Sequence, residues 1–373
     1  MQKDSKPDIF IISTNNWNGF WFQRQEFACR FAQEGYRVFY INKIPQRIPS
    51  FKSLIRFIKT KIQNDTIKND IPKNVIVLTP FFLPPLFIFK VINYVFALLF
   101  VYSIKSKFKI KNLFFITYQP SYIVLHMISQ LKPDKIIYVN THNYNSDPTC
   151  PKILFQSEQI LVSLSHVLLA DSLYNQKRLE KCNPSIPVGR AMPGVNISHF
   201  LRSYRGDEIE RKKTIYFFGD IGKHLDIELY NKAAEEFKVY LIGIINNEIA
   251  HLISSKITIL PPVSPSNLPD ILRGADILTI WYKKSDYVDG ILPAKFFECL
   301  ATQKPLFISG LNEALLYSDA VYNIDGSYIH FKEIIRNLEN LETIEKREKR
   351  IRYAKEADWS VRYNQFKSNI GIC

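Results

Sequence analysis

The chain has 373 residues, 46% of them hydrophobic, with 13 glycines and 20 prolines. That length supports two cores of ordinary domain size and excludes a fibrous or low-complexity chain. The net charge of +14 is uneven: residues 1–120 hold 18 Lys/Arg against 6 Asp/Glu, and the remainder 31 against 29, which points to one basic face aimed at an anionic surface rather than a diffuse nucleic-acid binder.

The first expected strand covers 8–13 (DIFIIS). Its apolar run at 9–12 is too short for a signal peptide and leads into polar residues 13–16. The loop at 15–19 and the stretch to Arg24 offer an aromatic plane at Trp17, a turn at Gly19 and a fixed cation at Arg24. Core packing competes with sugar stacking for Trp17. A second strand is expected at 36–42. Residues 51–62 place Phe51, Leu54, Ile55, Ile58 and Ile62 on one helical face and Lys52, Arg56 and Lys59 on the other. This is either an interfacial amphipathic helix or a surface helix packed on the sheet. After a strand at 74–79, residues 86–104 approach the length of a membrane span. Lys90 and Asn93 interrupt them, and flanking strands argue for a buried or interface-dipping helix instead.

Strands at 112–117, 135–140 and 166–170 complete a first series. NTHNYNSD (140–147) follows the fifth, so His142 stands at a strand's carboxyl end. A break rich in proline and glycine follows at 182–196, and a second series begins: 213–218, 238–243, 256–260, 276–281 and 304–309. Alternating short apolar runs and helical stretches mean βα units and parallel sheets. The expected division is 1–190, 191–354 and a terminal helical segment at 355–373. Ligands of such sheets sit beyond the carboxyl ends of strands. The five cysteines are odd in number and show no CxxC spacing, which argues against a disulfide framework or zinc knuckle.

Two strand-to-helix loops carry chemistry. IYFFGDIGKHLD (215–226) ends a strand at Gly219, carries Gly222 and a cation at Lys223, and offers Asp226 as a helix cap. GILPAKFFECLATQKP (290–305) leads through Gly290, Ile291 and Leu292 into a helix with Pro293 in its first turn. Lys295 in that turn suits a diphosphate, and Glu298 on the same face suits a vicinal diol such as a ribose. An ordinary βα turn and an exposed Lys–Glu pair are the bland alternatives.

Taken together, FGDIGK, ADILTIW and LPAKFFECLATQKPLF resemble the nucleotide-sugar domain of GT-B glycosyltransferases. The similarity is greatest to retaining family-4-like enzymes of bacterial surface polysaccharide synthesis. Their "P-x-K-x-x-E-x-x-A-x-x-K-P" helix is matched by Pro293, Lys295, Glu298, Ala301, Lys304 and Pro305. The hinge segment is matched by Ser172, Gly194, Val195, Asn196 and Phe200, and the closing helix by 354–366. The resemblance implies an α/β GT-B fold of two facing Rossmann-like domains with parallel sheets, an interdomain cleft and a C-terminal helix crossing back to the N-terminal domain.

It also implies transfer of a sugar from a UDP or GDP sugar, a co-substrate rather than a cofactor, to a lipid-linked oligosaccharide or polysaccharide. The chemistry is expected to be retaining and metal-independent. His142, Lys223 and Lys295 are the expected catalytic residues. The expected binding residues are Trp17, Gly19, Arg24, Gly219, Gly222, Gly290, Ile291, Leu292 and Glu298. With the basic N-terminal third, this places the protein at the anionic inner face of the cell membrane, in the cytoplasm. A nucleotide-sugar epimerase of the same fold and a non-catalytic sugar- or partner-binding protein are the competing readings. This sequence departs from the family at Gly290, where a first glutamate is usual, at NNWNG after the first strand, and at Gln303, where glycine often stands.

Overall fold

The computed structural model describes residues 6–46, 69–144, 146, 150–204 and 213–372, so the amphipathic pattern at 51–62 lies outside the described residues. The chain divides into two units, 1–191 with 365–373, and 192–364. Each is an α/β unit with a parallel sheet.

In the first unit the strands are β1 (Asp8–Ile12), β2 (Val38–Ile41), β3 (Val75–Leu78), β4 (Leu113–Thr117), β5 (Lys135–Asn140), β6 (Val167–Ala170) and β7 (Val188–Arg190), in the order β3-β2-β1-β4-β5-β6-β7. Nearly every side chain in β1, β2 and β4 is apolar and buried, as strands covered by helices on both faces require. Phe10 of β1 lies between Phe39 of β2 and Phe115 of β4, with ring centroids 4.6 and 6.4 Å away. The second unit holds β8 (Thr214–Phe218), β9 (Lys238–Ile242), β10 (Thr258–Leu260), β11 (Ile277–Trp281), β12 (Leu306–Ser309) and β13 (Tyr322–Asn323), ordered β10-β9-β8-β11-β12-β13.

Both sheets run outward in two directions from their first strand. The order therefore reverses between β1 and β4 in one unit and between β8 and β11 in the other. Such a switch point leaves a crevice, because consecutive connections depart to opposite faces. This places the loops after β1 and β8 where ligands collect.

The closing helix, Trp359–Asn369, serves both units. At its start the Trp359 ring lies against Gly194, where a Cβ would collide with it, and the Trp359 N–H donates to the Val195 carbonyl. At its end Phe366 packs on Phe27 and Phe31, and Lys367 pairs with Glu34 at 2.9 Å. The preceding helix, Ile344–Glu356, belongs to the second unit, so the change of unit falls at Gln365 within the closing helix.

Residues 86–104 form a 3-10 turn, Phe87–Phe89, and a helix, Lys90–Lys107. It is not a buried helix: only Asn93, Ala97, Val101 and Ile104 are buried in the helix, all on one face.

Gln303 has φ +66°, a left-handed conformation that costs an L side chain about 1 kcal/mol. It sits between the helix Lys295–Ala301 and Lys304, whose Nζ donates to the Ala275 carbonyl at 2.6 Å. Gln303→Gly is expected to stabilise the second unit by up to about 1 kcal/mol, read as a higher urea midpoint at unchanged slope. A lower midpoint would show that the glutamine side chain holds the turn.

Candidate functional site

In the second unit the switch point is built from the ends of β8 and β11 and the helix after 290–294. Two glycines make it possible. Gly219 ends β8 with φ +122°, and Gly243 follows β9 with φ +150°. A Cβ on Gly243 would collide with the Gly219 carbonyl, and a Cβ on Gly219 would collide with the Lys295 Nζ. The absence of side chains therefore lets two backbones and a lysine converge at one spot. The loop beyond is tied across the sheet: the Lys283 N–H donates to the His224 carbonyl at 2.8 Å, and Leu225 bridges Tyr282.

Lys295 is half-buried, with its ammonium 4.1 Å from the centre of the Phe217 ring and 5.9 Å from that of Tyr282. Desolvation pushes its pKa down to about 8, against the pull of Cys299, Glu298 and Asp220. Glu298, one turn on, is pushed up to about 7 by the same burial, with Lys295 opposing the shift. His224, edge-on to Tyr282 with centroids 4.7 Å apart, is driven down to about 4 by burial and then by Lys295, so its imidazole is neutral near pH 7. Neither the Lys295 ammonium nor the Glu298 carboxylate has a hydrogen-bond partner among the described residues. A desolvated cation over aromatic faces, with a carboxylate beside it, favours an anion with hydroxyls next to it.

The other expected residues of this unit fall differently. Lys223 points outward in an ion pair with Glu248, its side chain 69% exposed. It is the residue next to His224, and the chain turn that buries His224 turns Lys223 to solvent. Lys223, expected as a second phosphate cation, is therefore found facing solvent rather than buried beside Lys295. Gly222 sits where a Cβ would crowd the Asp220 carboxylate and the His224 ring. Gly290 and Leu292 are buried and Ile291 is half-buried, so this loop presents backbone more than side chains. The helix after it spans only Lys295–Ala301. Seven residues align few peptide dipoles, so the cationic character expected of its tip rests on Lys295 itself. Asp289, beside the missing first glutamate, accepts from Asn312 at 2.6 Å.

In the first unit a second group of expected residues meets. Arg24, on the helix Gln23–Gln33, donates to Thr141 Oγ1 at 2.8 Å and lies 4.6 Å from the Tyr118 ring centre. His142 follows Thr141, its ring edge-on to Tyr144 with centroids 5.0 Å apart. That loop is anchored from below. The Asn140 amide donates to the His142 carbonyl and to Glu158, and Glu158 also accepts from Tyr138 and from both ends of the Arg178 guanidinium at 2.8 Å. With Glu158 buried and Arg178 nearly so, this bidentate pair holds the loop in one geometry. Gly19, at φ +117°, faces open space.

Trp17 does not offer a plane to a ligand. It is 1% exposed, edge-on to Tyr40, with its backbone N–H on Asn42 Oδ1 and its indole N–H on the Asn69 carbonyl. Phe20, Trp21 and Phe22 are the exposed aromatics of that loop. His224, Tyr282 and Gly243 were not singled out by the sequence. For Gly243 the signal was present, a glycine directly after an apolar strand. His224 and Tyr282 acquire their character from burial by segments distant in sequence, to which Lys295 adds for His224. Among the described residues no three His, Cys, Asp or Glu side chains converge as metal ligands would.

No protein-family model and no curated protein matches the chain. Among solved structures it is similar to Anabaena HepE in complex with UDP, at 10% identity over 98% of this chain and 99% of that one, with a TM-score of 0.64. It is equally similar to WaaG, a glycosyltransferase involved in lipopolysaccharide biosynthesis, at 10% identity, 97% and 99% coverage and a TM-score of 0.63. The lipopolysaccharide outer core galactosyltransferase WaaB gives 10%, 98% and 99%, and 0.67. At this identity the likeness speaks for the fold, which is GT-B along the whole chain.

Proposed function

We propose that the protein is a glycosyltransferase that takes a sugar from a nucleoside-diphosphate sugar and passes it to a lipid-linked or polysaccharide acceptor. The observation that carries this reading is the Lys295 ammonium, desolvated and without an anionic hydrogen-bond partner, seated over Gly219 at the switch point of the second sheet. Structures of the same fold that hold UDP or UDP-glucose support it.

In this reading the diphosphate lies against Lys295 and the backbone of 290–294, and Glu298 accepts from the ribose hydroxyls. The bond from the anomeric carbon to the diphosphate oxygen breaks as the bond to the acceptor oxygen forms. The acceptor's proton passes to the leaving diphosphate if configuration is retained. Negative charge grows on that diphosphate, and a fixed cation in a desolvated setting stabilises it far more than it would in water. His224, held neutral, adds no second charge. Arg24 and the His142 loop give the first unit its polar cluster, to which we assign the acceptor side. The acceptor chemistry and the basic first third favour work at the cytoplasmic membrane surface.

The test is a thermal-shift screen with UDP, GDP and uridine. Ligand at about a hundredfold over its Kd stabilises by about 2.7 kcal/mol. One diphosphate should raise the melting temperature while uridine does not. If no nucleoside diphosphate shifts it, the donor site is wrongly assigned.

A further inference from the structure

We propose that the helix Lys90–Lys107 and the turn before it are a docking surface for an anionic lipid bilayer, laid flat on the membrane rather than through it. This deepens the membrane-side reading above by naming the element that makes the contact, and it is tested without any sugar transfer.

One face of this helix is bolted to the first unit. Asn93 Oδ1 accepts from the Leu83 N–H at 2.9 Å, and its amide donates to the Leu83 carbonyl and to the Tyr122 hydroxyl at 2.6 Å. Ala97, Val101 and Ile104 are buried beside it, and the helix Tyr122–Leu131 packs alongside. The segment Phe87–Lys107 is long and apolar enough to cross a bilayer by length and composition. A span would have to strip that face from the sheet and leave Asn93 unpartnered in hydrocarbon, a costly exchange.

Among the described residues the opposite face has no partner. Phe87, Ile88, Val91, Val95, Leu99 and Tyr102 recur at helical spacing and are all exposed, Val91 by 74% and Tyr102 by 73%. A soluble surface rarely carries so continuous a row of large apolar side chains. Its ends are cationic: exposed Lys90 at the start, and exposed Lys105, Lys107, Lys109 and Lys111 at and beyond the finish. No acidic residue occurs anywhere between Asp70 and Asp134.

That pattern selects the occupant. Hydrocarbon accepts the apolar row while anionic headgroups accept the lysines at its margins. A second copy of the chain pairing through this face would bring lysines to lysines, with no carboxylate in residues 71–133 to offset them.

Flotation of the full chain with phosphatidylcholine vesicles, with and without phosphatidylglycerol, tests this. The wild type should float with the anionic vesicles, more weakly with the neutral ones, and less as salt rises. Val91→Glu/Leu99→Glu should lower partitioning by about tenfold or more, since each puts a charge into the apolar row. Lys107→Gln/Lys109→Gln/Lys111→Gln should lower it by about fivefold per lysine on anionic vesicles only. All these side chains are exposed, so melting temperature and any nucleotide-induced shift should stay at wild-type values. That separates failure of this surface from failure of the donor site. Equal flotation of the Val91→Glu/Leu99→Glu variant and the wild type would overturn the proposal. So would a wild type that ignores both vesicles, including one that forms a dimer which the same substitutions dissolve.

Discussion

Replacing Lys295 with methionine is expected to weaken nucleoside-diphosphate binding by about two orders of magnitude while leaving the unliganded protein no less stable. The two effects share one cause. In the free protein the ammonium is desolvated against Phe217 and Tyr282 and has no carboxylate within ion-pair distance among the described residues. Holding it there costs folding free energy, and methionine fills a similar volume without a charge. A bound diphosphate reverses the balance, because a charge-assisted contact forms where water is sparse. Calorimetric titration with UDP and a urea melt of both proteins measure the two quantities. Affinity retained in Lys295→Met would remove the lysine from the site. Affinity and folding lost together would make it a structural residue.

The pH dependence of the same binding is the second large effect. Lys295 loses its proton at about 8 in the free protein and Glu298 gains one at about 7. A diphosphate favours charged Lys295 and so raises its pKa on binding. Above pH 8 binding must therefore take up a proton, and affinity falls by up to about tenfold per unit. Below pH 7 Glu298 becomes neutral and loses acceptor capacity for ribose hydroxyls, so affinity falls on that side as well.

The expected profile is a maximum between about pH 7 and 8. Lys295→Arg should flatten the alkaline limb, because a guanidinium stays charged, and Glu298→Gln should flatten the acid limb. A profile that is level from pH 6 to 10 would contradict the assignment. The same linkage acts on folding: Lys295 has a folded pKa below its ordinary value, so the unfolded chain binds more protons between about 8 and 10.5. The residue's contribution to stability accordingly rises with pH across that window.

Much of the architecture was legible because buried parallel strands are apolar on both faces. The runs at 8–13, 36–42, 74–79, 112–117, 135–140 and 166–170, and those of the second series, each fall on a strand within a few residues. β7 and β13 were not, being three and two residues long, the first inside a stretch rich in proline and glycine. Helix Lys90–Lys107 was expected as buried or interface-dipping, and the structure removes full burial; hydrophobicity alone does not say whether a partner covers each face.

Gly219, Lys295 and Glu298, which we assign to the donor, were singled out by loop position, and the structure brings Lys295 over Gly219. The differences from expectation have one physical source. Trp17 and Lys223 carry side chains suited to a ligand, but what surrounds them comes from distant segments: Asn42 and Asn69 close over Trp17, and Glu248 draws Lys223 outward. His224 was invisible for the same reason, since the burial that depresses its pKa, and the lysine that adds to it, come from other segments.

The most direct measurement is a crystal structure of the protein with UDP bound. A diphosphate oxygen is expected within about 3 Å of the Lys295 Nζ, with the ribose hydroxyls on the Glu298 carboxylate. A diphosphate seated elsewhere, with Lys295 still lying against Phe217 and touching no phosphate, would contradict that expectation.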